Sequence, residues 1–282
     1  MRLLLVPFLL MVTMTSAWAD RFQSRIYQID ISTRPGNPHL VKFENGRVAF
    51  LNPSEVPTMK ALKNSKLDGD VLELELDQNF DLVAAATVES GHGPQSFEPP
   101  NNADNNMLMS YTPSVLGGLS SAQTIFSRMK RGWQYDSQCY NRAHVWAYEE
   151  FKRSTFKSQK LFLFFTSRYI RNYRYKWWFH VSPMALVRES GVIKRRVLDR
   201  RYTSGPRYVK TWTDQFIASK RSCPIVARYS QYRNNQETQD CYLIPVSQYY
   251  WQPRDIENYE KTGYEKTSFI QSEVNWSYYE AF

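Results

Sequence analysis

Three strand-like runs follow one another in the middle of this chain, and they decide its fold class. Residues 160–166 (KLFLFFT) and 176–187 (KWWFHVSPMALV) are rich in aromatic and branched side chains, and 192–199 (VIKRRVLD) follows the turn Glu189-Ser190-Gly191. Such runs between turn residues are typical of strands. Because helical patterns precede them and βαβ alternation is scarce, we predict an α+β fold with an antiparallel sheet.

Residues 1–19 have the features of a cleavable secretory signal. Arg2 gives the positive start, residues 3–12 are apolar, and Ala17-Trp18-Ala19 is a small-x-small site that predicts a cut after Ala19. The apolar run is short for a membrane span, so an uncleaved anchor is the less favoured alternative. We therefore expect a secreted or periplasmic protein with no membrane span after signal removal.

The mature chain divides into three parts by composition. Residues 20–88 hold alternating β patterns, such as VLELEL at 71–76, and predict a small all-β N-terminal domain. Residues 89–118 are rich in Gly, Pro and Asn and predict a linker that proteases can reach. Residues 119–282 contain the strand runs and are predicted to form the second, catalytic domain.

Charge differs between the two halves of the chain. Residues 20–118 carry 8 Lys and Arg against 13 Asp and Glu, a net −5, whereas residues 119–282 carry 27 against 14, a net +13. Opposite charge predicts that the acidic part is an intramolecular partner of the basic part. Export and the lack of zinc, RNP or helix-turn-helix patterns argue against nucleic-acid binding, while a solvated basic surface remains an alternative.

The chain has three cysteines, an odd number for an exported protein. Cys223 and Cys241 close a short loop and are natural disulfide partners in an oxidising compartment. Their bridge would stabilise the fold by roughly 3 kcal/mol in the chain-entropy view. Cys139 is left over, as a buried inert thiol, an interchain partner or a nucleophile.

Cys139 lies where a loop gives way to a helical pattern. Asp136 or Ser137 is expected to cap this helix, because either side chain can accept from free backbone N–H groups. The first helical turn favours an anion and therefore a thiolate. A thiolate attacks carbonyl carbon, which makes Cys139 a candidate nucleophile.

A cysteine nucleophile needs a base and a group that orients the base. His180 lies on the long aromatic run and Asp199 ends the next one, so a hairpin would set them opposite each other. A core histidine and a turn aspartate are the alternatives. His144, five residues after Cys139, points elsewhere on the helix and is expected to be structural. No metal-ligand spacing occurs, so we expect no cofactor.

Several short motifs together resemble the bacterial protein-glutaminases, which deamidate protein-bound glutamine and have a transglutaminase-like fold. They are Cys139-Tyr140-Asn141-Arg142-Ala143-His144, Trp178-Phe179-His180-Val181-Ser182-Pro183, Val197-Leu198-Asp199 and Trp212. The resemblance covers about residues 125–225. It implies a secreted proenzyme whose N-terminal segment covers the active site, and a protein substrate with an exposed glutamine.

The resemblance also implies a role for each matching residue. Cys139 would attack the glutamine side-chain amide, His180 would move the proton, and Asp199 would hold the His180 ring. Backbone N–H groups at the helix start would bind the oxyanion. Gln138, Arg142, Trp178 and Trp212 are expected to line or support the groove, Arg142 by bracing the helix and Trp212 as a groove wall or a core residue.

Two other functions remain open at this stage. A transglutaminase or a papain-like or cell-wall cysteine peptidase would use the same three residues, and only the groove and the acyl acceptor would separate them. A non-catalytic exported binding protein with an inert Cys139 is the second alternative. Release of ammonia without peptide fragments or crosslinks would select deamidation.

Overall fold

The computed structural model describes residues 20–88, 111–134 and 138–282, and its N-terminal region forms two small antiparallel sheets. The elements there are β1 (Asp20–Ser24), β2 (Ile26–Asp30), β3 (His39–Phe43), β4 (Val48–Leu51), α1 (Val56–Asp68), β5 (Val71–Leu76) and β6 (Leu82–Val88). The strand orders are β1-β5-β6 and β2-β3-β4. The predicted signal at 1–19 and most of the predicted linker, 89–110, lie outside the described residues.

The N-terminal region is not all-β, because α1 occupies its middle. Pro57 lies in the first turn of the helix, where its missing N–H costs nothing, and Gly69 ends it at φ 74°. Only Leu62 and Ser65 are buried along α1. A helix with so narrow a buried side leaves little apolar periodicity, which is why the sequence prediction missed it.

The rest of the chain builds a larger sheet surrounded by helices. Its elements are β7 (Val115–Leu116), α2 (Leu119–Arg128), α3 (Cys139–Ser154), β8 (Gln159–Phe165), α4 (Ser167–Tyr173), β9 (Phe179–Glu189), β10 (Val192–Val197), β11 (Arg207–Tyr208), α5 (Val209–Thr213), α6 (Tyr229–Asn234), β12 (Cys241–Ser247), α7 (Pro253–Thr262) and α8 (Gln271–Ala281). The strand order is β11-β10-β9-β8-β12, all antiparallel. The α+β class with an antiparallel sheet is confirmed.

One detail of this part differs from the sequence prediction. Val115 and Leu116, at the end of the predicted linker, form β7, which pairs in parallel with Leu186 and Val187 of β9. The helix α3 packs on β9 and α8 and buries Ala143, as its apolar spacing predicts. No helix in the described ranges is long and apolar enough to cross a bilayer.

The turn between β3 and β4 reaches the start of β9. Trp178 N donates to Gly46 O at 2.9 Å, and Val48 N donates to Lys176 O at 3.1 Å. Gly46 has φ +91°, and a Cβ there would lie 3.2 Å from Phe179 Cε1. Glycine is therefore needed both for the turn and for this close approach.

Buried polar contacts also join the N-terminal region to the rest of the chain. Lys42, which is 1% exposed, pairs with Asp30 at 2.9 Å and donates to Tyr232 OH and Gln236 Oε1, both at 3.2 Å. Ser167 Oγ donates to Asp30 Oδ2 at 2.6 Å. Because a buried charge is tolerated only when it is paired and hydrogen-bonded, this arrangement fixes α4 and α6 against β2 and β3.

Apolar side chains also pack between the N-terminal region and the rest of the chain. Leu40, Val48 and Phe50 belong to the main core cluster together with Trp178. Tyr27 stacks on Trp178 with ring centroids 4.5 Å apart, and Trp178 Nε1 donates to Phe43 O at 2.7 Å. The N-terminal region therefore shares a core with the large sheet.

One disulfide joins the loop after α5 to the first residue of β12. Cys223 and Cys241 are bonded, with Cα atoms 5.0 Å apart and a sequence separation of 18. The bridge predicted from the cysteine count is confirmed. Cys139 is the free cysteine.

Candidate active site

Cys139 is the first residue of α3 and is 9% exposed. Gln138 is the N-cap residue, and its side chain makes no capping hydrogen bond. The cap predicted at Asp136 or Ser137 therefore does not occupy the N-cap position, and both residues lie outside the described residues. Arg142 N donates to Gln138 O at 3.2 Å. The backbone N–H groups that precede Arg142 in the first turn of α3 have no acceptor within the helix, so they can bind an anion.

His180 and Asp199 meet on one face of the sheet. The β9–β10 register pairs Val197 with Met184, so Asp199 lies level with Ser182 and two residues along from His180. The predicted direct opposition is thus off by two positions. Side chains two residues apart in a strand share a face, and His180 Nε2 still lies 2.7 Å from Asp199 Oδ2.

The pair is buried, and its charges stabilise each other. Burial acts to lower the pKa of His180, but the Asp199 charge and hydrogen bond, with a smaller effect of Cys139, raise it to about 9. Burial acts to raise the pKa of Asp199, but His180, Trp212 and Arg142 together lower it. Near neutral pH the site therefore holds an imidazolium against a carboxylate.

His180 also hydrogen-bonds Cys139. Asp199 lies on the Nε2 side of the same ring. The structure thus brings together the three residues that the sequence predicts as nucleophile, base and orienting carboxylate, and these roles stay predictions.

Arg142 lies beneath this group and is 3% exposed. Burial lowers its pKa, while the charges of Cys139 and Asp199 act to raise it and Arg201 acts to lower it. The Arg142 guanidinium is therefore close enough to interact electrostatically with both Cys139 and Asp199. Arg142 also lines the cavity beside Cys139, and its predicted role in bracing the helix stays a prediction.

A cavity of about 360 Å³ opens beside Cys139 and His180. Its walls are mainly aromatic, and the aromatic lining residues are Phe165, Tyr175, Trp177, Phe179, Tyr202 and Phe216. Arg47 of the N-terminal region and Lys176 also line it. The cavity is large enough for an amino-acid side chain and gives it direct access to the sulfur.

The two predicted tryptophans support the site from the core. Trp212 is fully buried, and its Nε1 donates to Asp199 Oδ2 at 2.8 Å, so it orients the carboxylate and does not line the cavity. Trp178 is fully buried and is held by Phe43 O. The alternative of Trp212 as a groove wall is wrong, because its ring is fully buried and does not line the cavity.

Several lining residues carried no recognised sequence signal. Phe216 lies 4.5 Å from the His180 ring, and Tyr202 lies 5.2 Å from it, centroid to centroid. Tyr202 and Arg201 follow Asp199 closely in sequence, which is the one clue available. Arg47 comes from a distant segment and could not be found without the fold.

The start of α3 is anchored by later parts of the chain. Asn141 Oδ1 accepts from Trp251 Nε1 at 2.9 Å and from Ser277 Oγ at 3.2 Å. Ahead of the helix, Gln134 N donates to Ala281 O at 2.9 Å. These bonds fix the position of the first helical turn.

His144 is structural, as expected from its offset. It is fully buried, and its Nδ1 lies 2.6 Å from Lys160 Nζ. Burial and then the charges of Lys160 and Lys266 hold the pKa of His144 well below its usual value. Glu273, 4.0 Å from Nε2, has a pKa raised by burial to about 7.

Solved structures with some likeness to this chain are protein-glutaminases. The A47Q2 mutant of pro-protein-glutaminase has 13% identity and a TM-score of 0.49, with 84% of this chain and 86% of that chain covered. For pro-protein-glutaminase itself the identity is 13% and the TM-score 0.45, with 83% and 84% covered. The NMR structure of protein-glutaminase from Chryseobacterium proteolyticum has 13% identity and a TM-score of 0.37, with 59% and 86% covered.

No curated protein is similar enough to count as a match. A family model described as "Glutaminase" does match, over residues 120–216, which is about a third of the chain. That segment contains Cys139, His180 and Asp199. Residues 120–216 are therefore similar to this glutaminase family, and the resemblance inferred from the sequence is confirmed.

Proposed function

We propose that this protein is a protein-glutamine deamidase, which hydrolyses the side-chain amide of protein-bound glutamine to glutamate and ammonia. One observation carries the proposal: Cys139 begins a helix and hydrogen-bonds His180, whose Nε2 lies 2.7 Å from Asp199, all within the segment that matches the glutaminase family.

Acylation begins with attack of Cys139 Sγ on the amide carbon of the glutamine side chain. The pKa of His180 near 9 keeps its ring protonated at neutral pH, so the proton that ammonia needs on leaving is already on the ring. The N–H groups at the start of α3 point toward the oxyanion. Collapse of the tetrahedral intermediate breaks the C–N bond, releases ammonia and leaves a thioester on Cys139.

Deacylation uses the same groups in reverse. His180, now neutral, takes a proton from water, and the hydroxyl adds to the thioester carbon. The C–S bond breaks, glutamate leaves, and the sulfur and imidazolium return to their starting states. Asp199 keeps its position and stabilises the charged ring in both halves of the reaction.

The N-terminal region is the proposed intramolecular partner of this site. Glu44 pairs with Arg254, Asp81 pairs with Arg174 at 2.8 Å, and Arg47 reaches the cavity wall. We propose that it restrains access of large protein substrates until the segment 89–110 is cut. We also propose that the protein is exported to an oxidising compartment and that its mature N-terminus is Asp20. N-terminal sequencing of the exported protein checks this cleavage position.

The activity test uses the chain from Asp20 to Phe282, cut at a specific protease site placed between residues 89 and 110, with casein as the substrate. Wild type should release ammonia, and Cys139→Ala should release none although it keeps the fold. Mass spectrometry should show a gain of about 1 Da per deamidated glutamine, without peptide fragments or lysine crosslinks. Fragments would identify a peptidase, crosslinks a transglutaminase, and either result without ammonia would refute deamidation.

Restraint is tested by placing a specific protease site between residues 89 and 110. Ammonia release from casein should rise after the cut, while release from a small glutamine peptide changes less. The same protease acting on a chain without the site is the control. Equal rates on casein before and after cutting would refute restraint and leave the deamidase proposal intact.

A further inference from the structure

The hairpin formed by β3 and β4 is buried on both of its faces. Successive side chains of a strand point to opposite faces, so each strand contributes to two surfaces. On one face are residues of a cluster drawn entirely from residues 20–88, namely Val41, Phe43, Ala49 and Leu51. On the other face are residues that contact the rest of the chain and are at most 1% exposed, namely Leu40, Lys42, Val48 and Phe50. The same two strands therefore cover the core of the N-terminal region and the main core.

Trp178 shows how strongly the large sheet depends on this contact. Its side chain is fully buried, and Tyr27 is stacked on it with 4.5 Å between the ring centroids. The indole N–H donates to Phe43 O at 2.7 Å. Loss of the N-terminal region would expose this large aromatic ring and remove the acceptor of its N–H. The core of the large sheet is therefore incomplete without residues 20–88.

Tyr27 extends the contact to two helices. Its hydroxyl donates to Glu257 Oε2 of α7 at 2.9 Å and lies 3.0 Å from Tyr229 OH of α6. Lys42 donates to Tyr232 OH, also of α6, at 3.2 Å. Polar groups of the two parts thus satisfy each other, and separation would break these bonds. Because it combines this pairing with a continuous core, the contact resembles the interior of a domain, as obligate interfaces do.

The same contact holds the segment that leads to His180. Trp178 N donates to Gly46 O at 2.9 Å, and a β-bridge pairs Trp177 with Arg47 in antiparallel orientation. Trp178 lies directly ahead of β9 and two residues before His180. Arg47 also lines the cavity. Loss of the N-terminal region would remove main-chain pairing next to the candidate base, and a segment that loses its contacts opens more readily.

We propose that the N-terminal region, residues 20–88, is a permanent lobe of the enzyme, which stays bound to the rest of the chain after a cut between residues 89 and 110. This inference rests on the proposed deamidase function and deepens its regulation. The cut would then produce a two-chain enzyme, and relief of restraint would come from movement within that complex. Arg47 would remain part of the cavity wall in the cut enzyme.

The main test uses the wild-type chain 20–282 with the specific protease site, cut to completion and passed over a size-exclusion column. Both fragments should elute together at the size of the uncut chain, and this peak should release ammonia from a small glutamine peptide. Elution in about 1 M NaCl should be the same, because salt screens exposed charges much more than buried contacts. A complex held mainly by the opposite net charges of its parts would separate there.

Tyr27→Ala tests whether the shared core holds the permanent lobe. A cut complex that is fluorescently labelled on its N-terminal fragment is mixed with an excess of unlabelled cut complex, and exchange of the fragments is followed. Loss of a central aromatic anchor should raise the exchange rate about thirtyfold or more. The matched control is Met59→Ala, a truncation of another partly buried side chain that packs in the cluster drawn from residues 20–88, and it should exchange like wild type. Circular dichroism checks that both variants are folded.

The outcomes separate this inference from the proposed function. Elution of the wild-type fragments in two peaks, at low or high salt, would overturn the permanent lobe, and so would equal exchange rates in the two variants. If the larger fragment then releases ammonia by itself, the deamidase proposal stands. A single joint peak that releases no ammonia from the peptide or from casein would overturn the deamidase proposal and leave the permanent lobe intact.

Discussion

The indole N–H of Trp212 donates a 2.8 Å hydrogen bond to Asp199 Oδ2, the same oxygen that lies 2.7 Å from His180 Nε2. One carboxylate oxygen therefore contacts both rings, and the hydrogen bond from Trp212 helps to fix the position of that oxygen. The ring of Trp212 is fully buried, so the bond is shielded from water. In the proposed mechanism Trp212 is a positioning residue, because it acts on His180 through the Asp199 carboxylate.

Replacing Trp212 by phenylalanine tests this role. Trp212→Phe keeps an aromatic ring but removes the donor, and a lost hydrogen bond to a buried charge should reduce kcat about tenfold. The bond helps to lower the pKa of Asp199, so its loss should move the acid limb of the kcat–pH profile to higher pH. Ammonia-release rates between pH 3 and 10 give both values.

Trp178→Phe is the matched control for this measurement. Trp178 is also fully buried and also donates to an oxygen, but that oxygen is Phe43 O in the N-terminal region. This variant should lose stability without moving the acid limb. An identical pH shift in both variants would show that Trp212 acts only through general packing.

The charge of His180 predicts how stability changes with pH. Its folded pKa of about 9 lies above the usual value of 6.5, so the folded state binds the proton more tightly than the unfolded state. The resulting stabilisation, on the order of 3 kcal/mol, is complete below pH 6.5 and is lost as pH rises toward 9. Urea unfolding from pH 6 to 10 should show this decline.

Asp199→Asn should flatten that decline and nearly abolish activity. Without the carboxylate charge the pKa of His180 falls, and NMR titration of the ring should record the fall. Loss of the orienting anion should reduce kcat on the order of 10³- to 10⁴-fold, as in other nucleophile–histidine–carboxylate sites. An unchanged His180 titration in Asp199→Asn would contradict the assignment of the pair.

The buried ion pair between Lys42 and Asp30 predicts a large stability effect. Lys42→Met leaves the Asp30 carboxylate buried without its cation, and breaking such a pair costs about 3–5 kcal/mol. The double variant Lys42→Met with Asp30→Leu should recover much of this loss. Urea unfolding measures all three proteins, and a single variant as stable as wild type would show that water enters the site.

The disulfide gives a further stability prediction. Cys223→Ser should lower the free energy of unfolding by roughly 3 kcal/mol, the value expected for a loop of 18 residues. Reduction with dithiothreitol should destabilise wild type and leave Cys223→Ser unchanged. Ammonia release should persist in both at low temperature, because the bridge lies outside the triad.

The sequence predicts the large sheet and the candidate residues Cys139, His180 and Asp199 because their signals are local. The hydrophobic runs around His180 and before Asp199 are continuous enough to identify β9 and β10, and the turn between them fixes their antiparallel pairing. The two-residue shift in register was not visible, because it depends on how the hairpin turn packs. The start of α3 at Cys139 follows from the helical pattern after it.

Other features depend on contacts between distant segments. The bond from Trp212 to Asp199 requires the tertiary placement of α5, and the cavity wall joins Arg47, Lys176 and Arg201 from three parts of the chain. The helix α1 buries too few residues to give a clear apolar periodicity in the sequence. Such features follow from folding as a whole and carry no periodic or motif signal.

The anchoring of α3 by α8 couples the order of the two helices. Ser277 of α8 donates to Asn141 in the first turn of α3, and Ala281 accepts from Gln134 ahead of that turn. Local unfolding of α8 therefore removes hydrogen bonds that hold the start of the helix that carries Cys139. The position of the Cys139 sulfur thus depends on a helix that does not itself touch the cavity.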